Sequence, residues 1–136
     1  MKQPGKVYLI DTNIILRYLL EDHEEYSPKA KAFMMDISKG TKKAEILDVV
    51  IVESIYVMEK FYNIPKNEIV DKLSKIINFP GVANPNRSEI LNALLKYEGL
   101  DIDIVDCILA AKSSSEKVVV SFDKDMERLK AVSEVL

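Results

Sequence analysis

Hydrophobic positions along the chain fall into two rhythms. Short continuous apolar runs, at Val7–Ile10, Ile46-Leu47 and Val118–Val120, have the length of strands. Between them, apolar residues recur every three or four positions, as on one face of a helix. Val7-Tyr8-Leu9-Ile10 runs straight into Asp11-Thr12-Asn13. This reads as a short buried strand ending at a sheet's edge, then a helix through Ile14–Leu20 capped by Thr12 or Asn13. Ser27-Pro28 starts a second helix. The serine is read as the N-cap and Pro28 as the first helical position; the helix carries Ala30, Phe33, Met34 and Ile37 on its apolar face and ends at Gly40. Glu45-Ile46-Leu47 predicts a second strand. Asp48 then caps a helix from about Val49 to Tyr62 with Val49, Val52, Ile55, Tyr56 and Phe61 among its apolar residues; its β-branched start leaves a longer strand open. Ile64-Pro65 breaks that helix, and another through Ile69, Val70, Leu73, Ile76 and Ile77 stops at Pro80-Gly81.

The second half repeats the alternation. Val82-Ala83 is long enough for a very short strand. Asn84-Pro85-Asn86 is turn chemistry, with Asn86 or Ser88 available to cap a helix through Ile90, Leu94 and Tyr97 that Gly99 closes. Asp101-Ile102-Asp103-Ile104-Val105-Asp106 opens an apolar helix over Cys107–Ala111. Val118–Val120 reads as a buried strand ending in Ser121-Phe122-Asp123. A short charged helix follows over Lys124–Lys130, and Ala131–Leu136 forms a last strand or frays. Strands alternating with helices, with no repeat or linker, predict one α/β domain over residues 1–136 with a mainly parallel sheet.

In a parallel sheet the carboxyl ends of the strands share an edge, which is where ligands bind. Asp11 and Asp123 both stand just past a strand, so the topology predicts that they meet. Glu53 and Asp106, on helices, approach from the sides. Glu53 interrupts an apolar run and must be exposed, paired or metal-bound, because burying an unpaired charge is expensive. Asp103 and Asp106, three apart, lie on one side of a helix. Acids at a helix N-terminus also suit the macrodipole, which leaves a purely structural reading open for Asp101 and Asp103. It fits Asp106 least, because a run of apolar and small residues follows directly.

Composition narrows the chemistry. The 136 residues are 48% hydrophobic, enough for one domain with a real core. No apolar run approaches the ~20 residues of a membrane span, and the N-terminus carries no signal-peptide pattern, so a cytoplasmic protein with no membrane partner is expected. Cys107 is the lone cysteine, which excludes an intramolecular disulfide and suits a reducing compartment. His23 is the lone histidine and cannot build a His-rich zinc site, so a metal would be held mainly by oxygen, pointing to Mg²⁺ or Mn²⁺. The net charge is −3 and the pI about 5.3, whereas a bulk electrostatic binder of nucleic acid would be basic. A nucleic-acid substrate would have to be met by a local basic strip or by the metal. Lys39, Lys42 and Lys43 gather at one helix end, either as cations near a C-terminus or as an RNA contact.

Four stretches then resemble a known family: Leu9-Ile10-Asp11-Thr12-Asn13-Ile14-Ile15-Leu16-Arg17-Tyr18-Leu19, Val52-Glu53-Ser54-Ile55-Tyr56-Val57-Met58-Glu59, Asp103-Ile104-Val105-Asp106-Cys107-Ile108-Leu109-Ala110-Ala111, and Val119-Val120-Ser121-Phe122-Asp123-Lys124-Asp125. In this order and spacing they are similar to motifs of the PIN-domain ribonucleases, especially the VapC toxins of toxin–antitoxin pairs. The resemblance implies a three-layer α/β/α fold and an Mg²⁺- or Mn²⁺-dependent endoribonuclease that leaves 5′-phosphates. It implies that Asp11, Glu53, Asp106 and Asp123 are the metal-binding, catalytic acids. Asp103 is a supporting acid, and Asn13 and Ser121 match polar positions that orient a carboxylate or water. Ser121 stands where threonine is common and keeps the hydroxyl. Cys107 stands where alanine is common and reads as a small buried filler. An RNA substrate, a cognate antitoxin and a homodimer are the implied partners; the helix over Pro28–Lys39 either offers a surface to the protein partners or packs its apolar stripe in the core. Tyr18, Tyr26 and Tyr62 either stack on bases or pack. Two alternatives stay open. One is a PIN-like module that binds RNA or protein without cleaving. The other is an α/β phosphatase of haloacid-dehalogenase type, disfavoured because Asn13 stands where its second aspartate would be.

Overall fold

A computed structural model of the protein describes residues 5–136. Eleven elements alternate along them: β1 (Val7–Leu9), α1 (Thr12–Leu20), α2 (Tyr26–Lys39), β2 (Lys43–Glu45), α3 (Asp48–Lys60), α4 (Lys66–Ile77), α5 (Arg87–Gly99), α6 (Ile104–Lys112), β3 (Val119–Ser121), α7 (Asp125–Arg128) and β4 (Ser133–Val135). They divide into two compact units, one reaching to Arg87 and the other Ser88–Leu136. Every strand pairing among the described residues is parallel. In the first unit β1 pairs with β2, Tyr8 opposite Ala44, and Val82 adds a parallel bridge to Ala44. In the second unit β3 pairs with β4, Val120 opposite Glu134. The expected α/β class with parallel pairing holds, and the last six residues do supply a strand.

In the first unit α1 packs against both α2 and α3, and α4 packs against α3. The buried rows follow helical spacing: Ile15 and Leu16 on α1, Ala30, Met34 and Ile37 on α2, Ile51, Ile55 and Met58 on α3, Ile69, Leu73, Ile76 and Ile77 on α4. The second unit buries Ile90, Ala93, Leu94 and Tyr97 on α5, Ile104, Cys107 and Ala110 on α6, then Val119, Met126 and Leu129. Cys107 is the buried filler expected. Lys112 Nζ to Glu89 Oε2 (2.9 Å) ties α6 to α5, and Lys96 Nζ donates to the Leu129 carbonyl at 2.6 Å.

Several sequence expectations are corrected. The strands are not buried along their whole length. Ile10 and Val119 are buried, but Val7, Leu9, Val118 and Val120 are exposed, because successive side chains leave opposite faces of a strand. On α3 the buried row is Ile51, Ser54, Ile55 and Met58. Val49, Tyr56 and Phe61 lie on the outer face. The second strand begins two residues early and ends at Glu45. Leu47, not Asp48, is the N-cap of α3.

The joint between α2, β2 and the segment after α4 is built closely. Gly40 ends α2 in the left-handed region (φ 78°), as expected. Gly81 N–H then donates to the Ile37 carbonyl (2.8 Å), while the Gly81 carbonyl accepts from Ala44 N–H (2.8 Å). Asn84 continues this ladder with its side chain. Its Oδ1 accepts from Ile46 N–H (2.9 Å) and its Nδ2 donates to the Ile46 carbonyl (2.7 Å), so a side-chain amide satisfies both backbone groups of a fully buried residue. The same Nδ2 reaches Asn86 Oδ1 (3.2 Å), and Asn86 Nδ2 donates to Asp48 Oδ1 (3.0 Å). This chain of amides holds the first turn of α3, the helix that carries Glu53.

Candidate active site

Three of the acids singled out from the sequence, Asp11, Asp103 and Asp123, accept a hydrogen bond from a backbone N–H one or two residues ahead. Asp11 follows β1 with extended backbone (φ −75°, ψ 151°) and is itself the N-cap of α1: its Oδ1 accepts from Thr12 N–H at 2.9 Å. This corrects the expectation that Thr12 or Asn13 caps the helix. Thr12 is already inside α1 and buried. Asp103 is the N-cap of α6, with Oδ1 accepting from Val105 N–H at 2.8 Å. Asp123 accepts from Asp125 N–H at 3.0 Å just before α7. Each carboxylate spends one oxygen on a backbone N–H, which fixes its direction, and keeps a second oxygen for a ligand. Ser121 supports this turn, its Oγ accepting from Asp123 N–H at 3.0 Å. The hydroxyl therefore orients the Asp123 backbone.

Asp106 sits in the first turn of α6, half-buried, three residues on from Asp103. Its carboxyl pKa is raised above the ordinary value of 3.8, first by burial, then by the negative charges of Asp103, Asp125 and Asp123. The second unit thus gathers Asp103, Asp106 and Asp123 into one electrostatic neighbourhood. Asp125 joins it, a residue the sequence reading passed over although it stands two positions beyond Asp123. In the first unit Glu53 is on α3, exposed, and α3 packs on the helix that Asp11 caps. Asn13 is exposed on the first turn of α1 and lines a cavity of about 450 Å³.

Asp11, Glu53, Asp103, Asp106 and Asp123 offer only carboxylate oxygen, the donor type of a hard divalent cation. Asp106 is disfavoured in its charged form first by burial and then by neighbouring negative charge, and a cation would offset both. On donor chemistry the residues fit such an ion. Among the described residues, no group of three or more Asp, Glu, His or Cys side chains is already close enough to hold a metal. No helix of the described residues is long and apolar enough to cross a membrane.

The chain is similar to known proteins along most of its length. A VapC ribonuclease of Aquifex aeolicus (strain VF5) is similar to this chain, 27% identical over 124 residues that cover 89% of this chain and 90% of the relative. The model of the PIN domain family matches residues 8–132, a span that starts in β1, ends just before β4 and contains every acid described above. With its strand-then-acid pattern and parallel α/β architecture of the three-layer α/β/α class, this chain belongs to the PIN domain family.

Proposed function

We propose that this PIN-domain protein is an endoribonuclease that depends on Mg²⁺ or Mn²⁺, and that it is the toxin of a VapC-type toxin–antitoxin pair. Residues 1–136 act as a single domain in this reading. Asp11 and Asp106 are the core metal ligands, and Glu53 and Asp123 complete the site or position the attacking water. Asp103 supports them. RNA is the substrate, an antitoxin the inhibitory partner, a homodimer the assembly and the cytoplasm the location.

The observation that carries the proposal is the neighbourhood of Asp106, where burial first, and then the charges of Asp103, Asp125 and Asp123, disfavour its charged form. Such a patch repels a phosphodiester and gains by taking up a divalent ion. When bound, the ion supplies positive charge that attracts the phosphate and makes nearby water more acidic. The chain's own share is positioning. Thr12 N–H holds Asp11, and Ser121 with Asp125 N–H holds the Asp123 turn. Similarity to a VapC ribonuclease along nearly the full length supports the choice of RNA.

The test is cleavage of end-labelled RNA with Mn²⁺ or Mg²⁺, with EDTA, and with Asp11→Asn and Asp106→Asn proteins. Cleavage by wild type that EDTA and either substitution abolish is the expected result. Wild-type turnover in both variants overturns the site assignment. Binding of RNA without any cleavage under all these conditions favours the non-cleaving alternative.

A further inference from the structure

The link between α1 and α2 contains the chain's only histidine in an unusual role. His23 Nδ1 accepts from the backbone N–H groups of Glu25 (3.2 Å) and Tyr26 (2.9 Å). Its own backbone N–H donates to Ser27 Oγ (3.1 Å), and Ser27 N–H returns to the His23 carbonyl (3.0 Å). The imidazole therefore does the work of an N-cap for α2, whose nominal cap, Glu25, makes no side-chain cap bond. With Nδ1 committed as an acceptor, the neutral ring carries its proton on Nε2, which remains a donor.

The same bonds fix the ring parallel to Tyr26, with centroids 4.3 Å apart and planes 10° from each other. Tyr26 is nonetheless 54% exposed. The packing role open to it from the sequence does not account for that. Tyr18, by contrast, meets Phe79 edge to face, and Tyr62 donates to Asp22. The His23–Tyr26 stack lines the 450 Å³ cavity together with Asn13, Arg17 and Lys29. Lys29 Nζ lies 6.0 Å from the Tyr26 ring centroid. Arg17 is held by Asp22 at 2.6 Å and by Tyr62 at 3.5 Å, which uses two of its five N–H donors and leaves the rest. Asn13, on the cavity wall, is two residues from Asp11.

We infer that this cavity is a nucleotide subsite, in which an unpaired RNA base extends the His23–Tyr26 stack and the adjoining phosphates lie near Arg17 and Lys29. The inference rests on the ribonuclease reading and adds to it where the strand is gripped. An overall acidic protein gains little from bulk attraction to RNA, so a rigid aromatic platform flanked by two cations supplies the contact. Every base has a π-face, so the subsite favours single-stranded RNA without fixing its sequence.

The experiment uses an oligoribonucleotide carrying 2-aminopurine and protein made inert by Asp106→Asn, compared with the same protein bearing Tyr26→Ala or Tyr26→Phe in addition. Tyr26→Ala is expected to weaken binding by about tenfold or more and to remove the change in 2-aminopurine fluorescence, whereas Tyr26→Phe retains both. Circular dichroism checks that α2 remains folded. Equal affinity and equal fluorescence change in the alanine variant overturn the subsite while leaving the nuclease reading intact. If Tyr26→Ala spares RNA binding but releases a co-purifying protein, the cavity is a protein-docking site and the inference also fails. Wild-type protein that never cleaves RNA defeats the underlying function instead, whatever the binding shows.

Discussion

At the scale of single residues, Asp106 connects stability to chemistry. An acid whose folded-state pKa lies above its unfolded value favours folding only while protonated, and that contribution is lost as pH rises through the folded value. Burial and the charges of Asp103, Asp125 and Asp123 put Asp106 in this class. In metal-free protein at neutral pH its charged form is therefore a cost to the fold. Asp106→Asn should raise the melting temperature at pH 7 in EDTA, and the gain should shrink as pH falls through the raised folded-state value and the native side chain takes up its proton. Thermal unfolding across that range checks this, and a lower melting temperature for the variant at pH 7 contradicts it. The sequence singled out Asp106 because a charged group preceded an apolar and small-residue run. It pointed to Ser27 as the cap of α2, which is wrong: the helix starts at Tyr26, Ser27 lies inside it, and an imidazole that caps through Nδ1, as His23 does, has no characteristic spacing.

At the scale of elements, helices were more legible than strands. The rows on α2 and α4 recur at helical period and are buried as read, apart from the half-buried Phe33 on α2. Gly40 ends α2 because the chain turns into the left-handed region there. Strand burial was overestimated, since three-residue strands such as β1 and β3 have too few positions for alternation to be seen. Gly81 was legible only as a helix stop. In the fold, a Cβ at this position would fall 2.5 Å from the Ile37 carbonyl oxygen and closer still to that of Lys42. Both are backbone atoms already engaged in the joint between α2 and β2, so neither can yield cheaply. Gly81→Ala should destabilise the protein by about 3 kcal/mol, measured by urea denaturation. Gly99→Ala, where nothing lies within 4 Å of the added Cβ, is the control and should differ little from wild type.

At the scale of the whole molecule, the fold class was readable because alternation of strand and helix is a long-range pattern that no single misplaced boundary disturbs. Asp11, Asp103 and Asp123 stood out because each follows a strand or opens a helix, and Glu53 because it interrupts the apolar run of α3. The backbone bonds that aim the three aspartates were not readable, since they depend on dihedral angles and not on residue order. If the proposed ion binds the folded chain only, it stabilises the fold by mass action, by about 2.7 kcal/mol at one hundred times its dissociation constant. Mn²⁺ or Mg²⁺ should therefore raise the melting temperature in a concentration-dependent way that EDTA reverses, with a smaller effect on Asp106→Asn. An identical rise in wild type and variant would point to binding elsewhere.

The amide of Asn84 holds both backbone groups of Ile46, so the joint depends on that side chain remaining an amide. Asparagine ages when the nitrogen of the following residue attacks the side-chain carbonyl and closes a cyclic imide. The following residue here is Pro85, whose ring nitrogen has no hydrogen to lose. Chemical ageing by that route is closed at the one asparagine whose conversion to aspartate would set an acceptor against the Ile46 carbonyl.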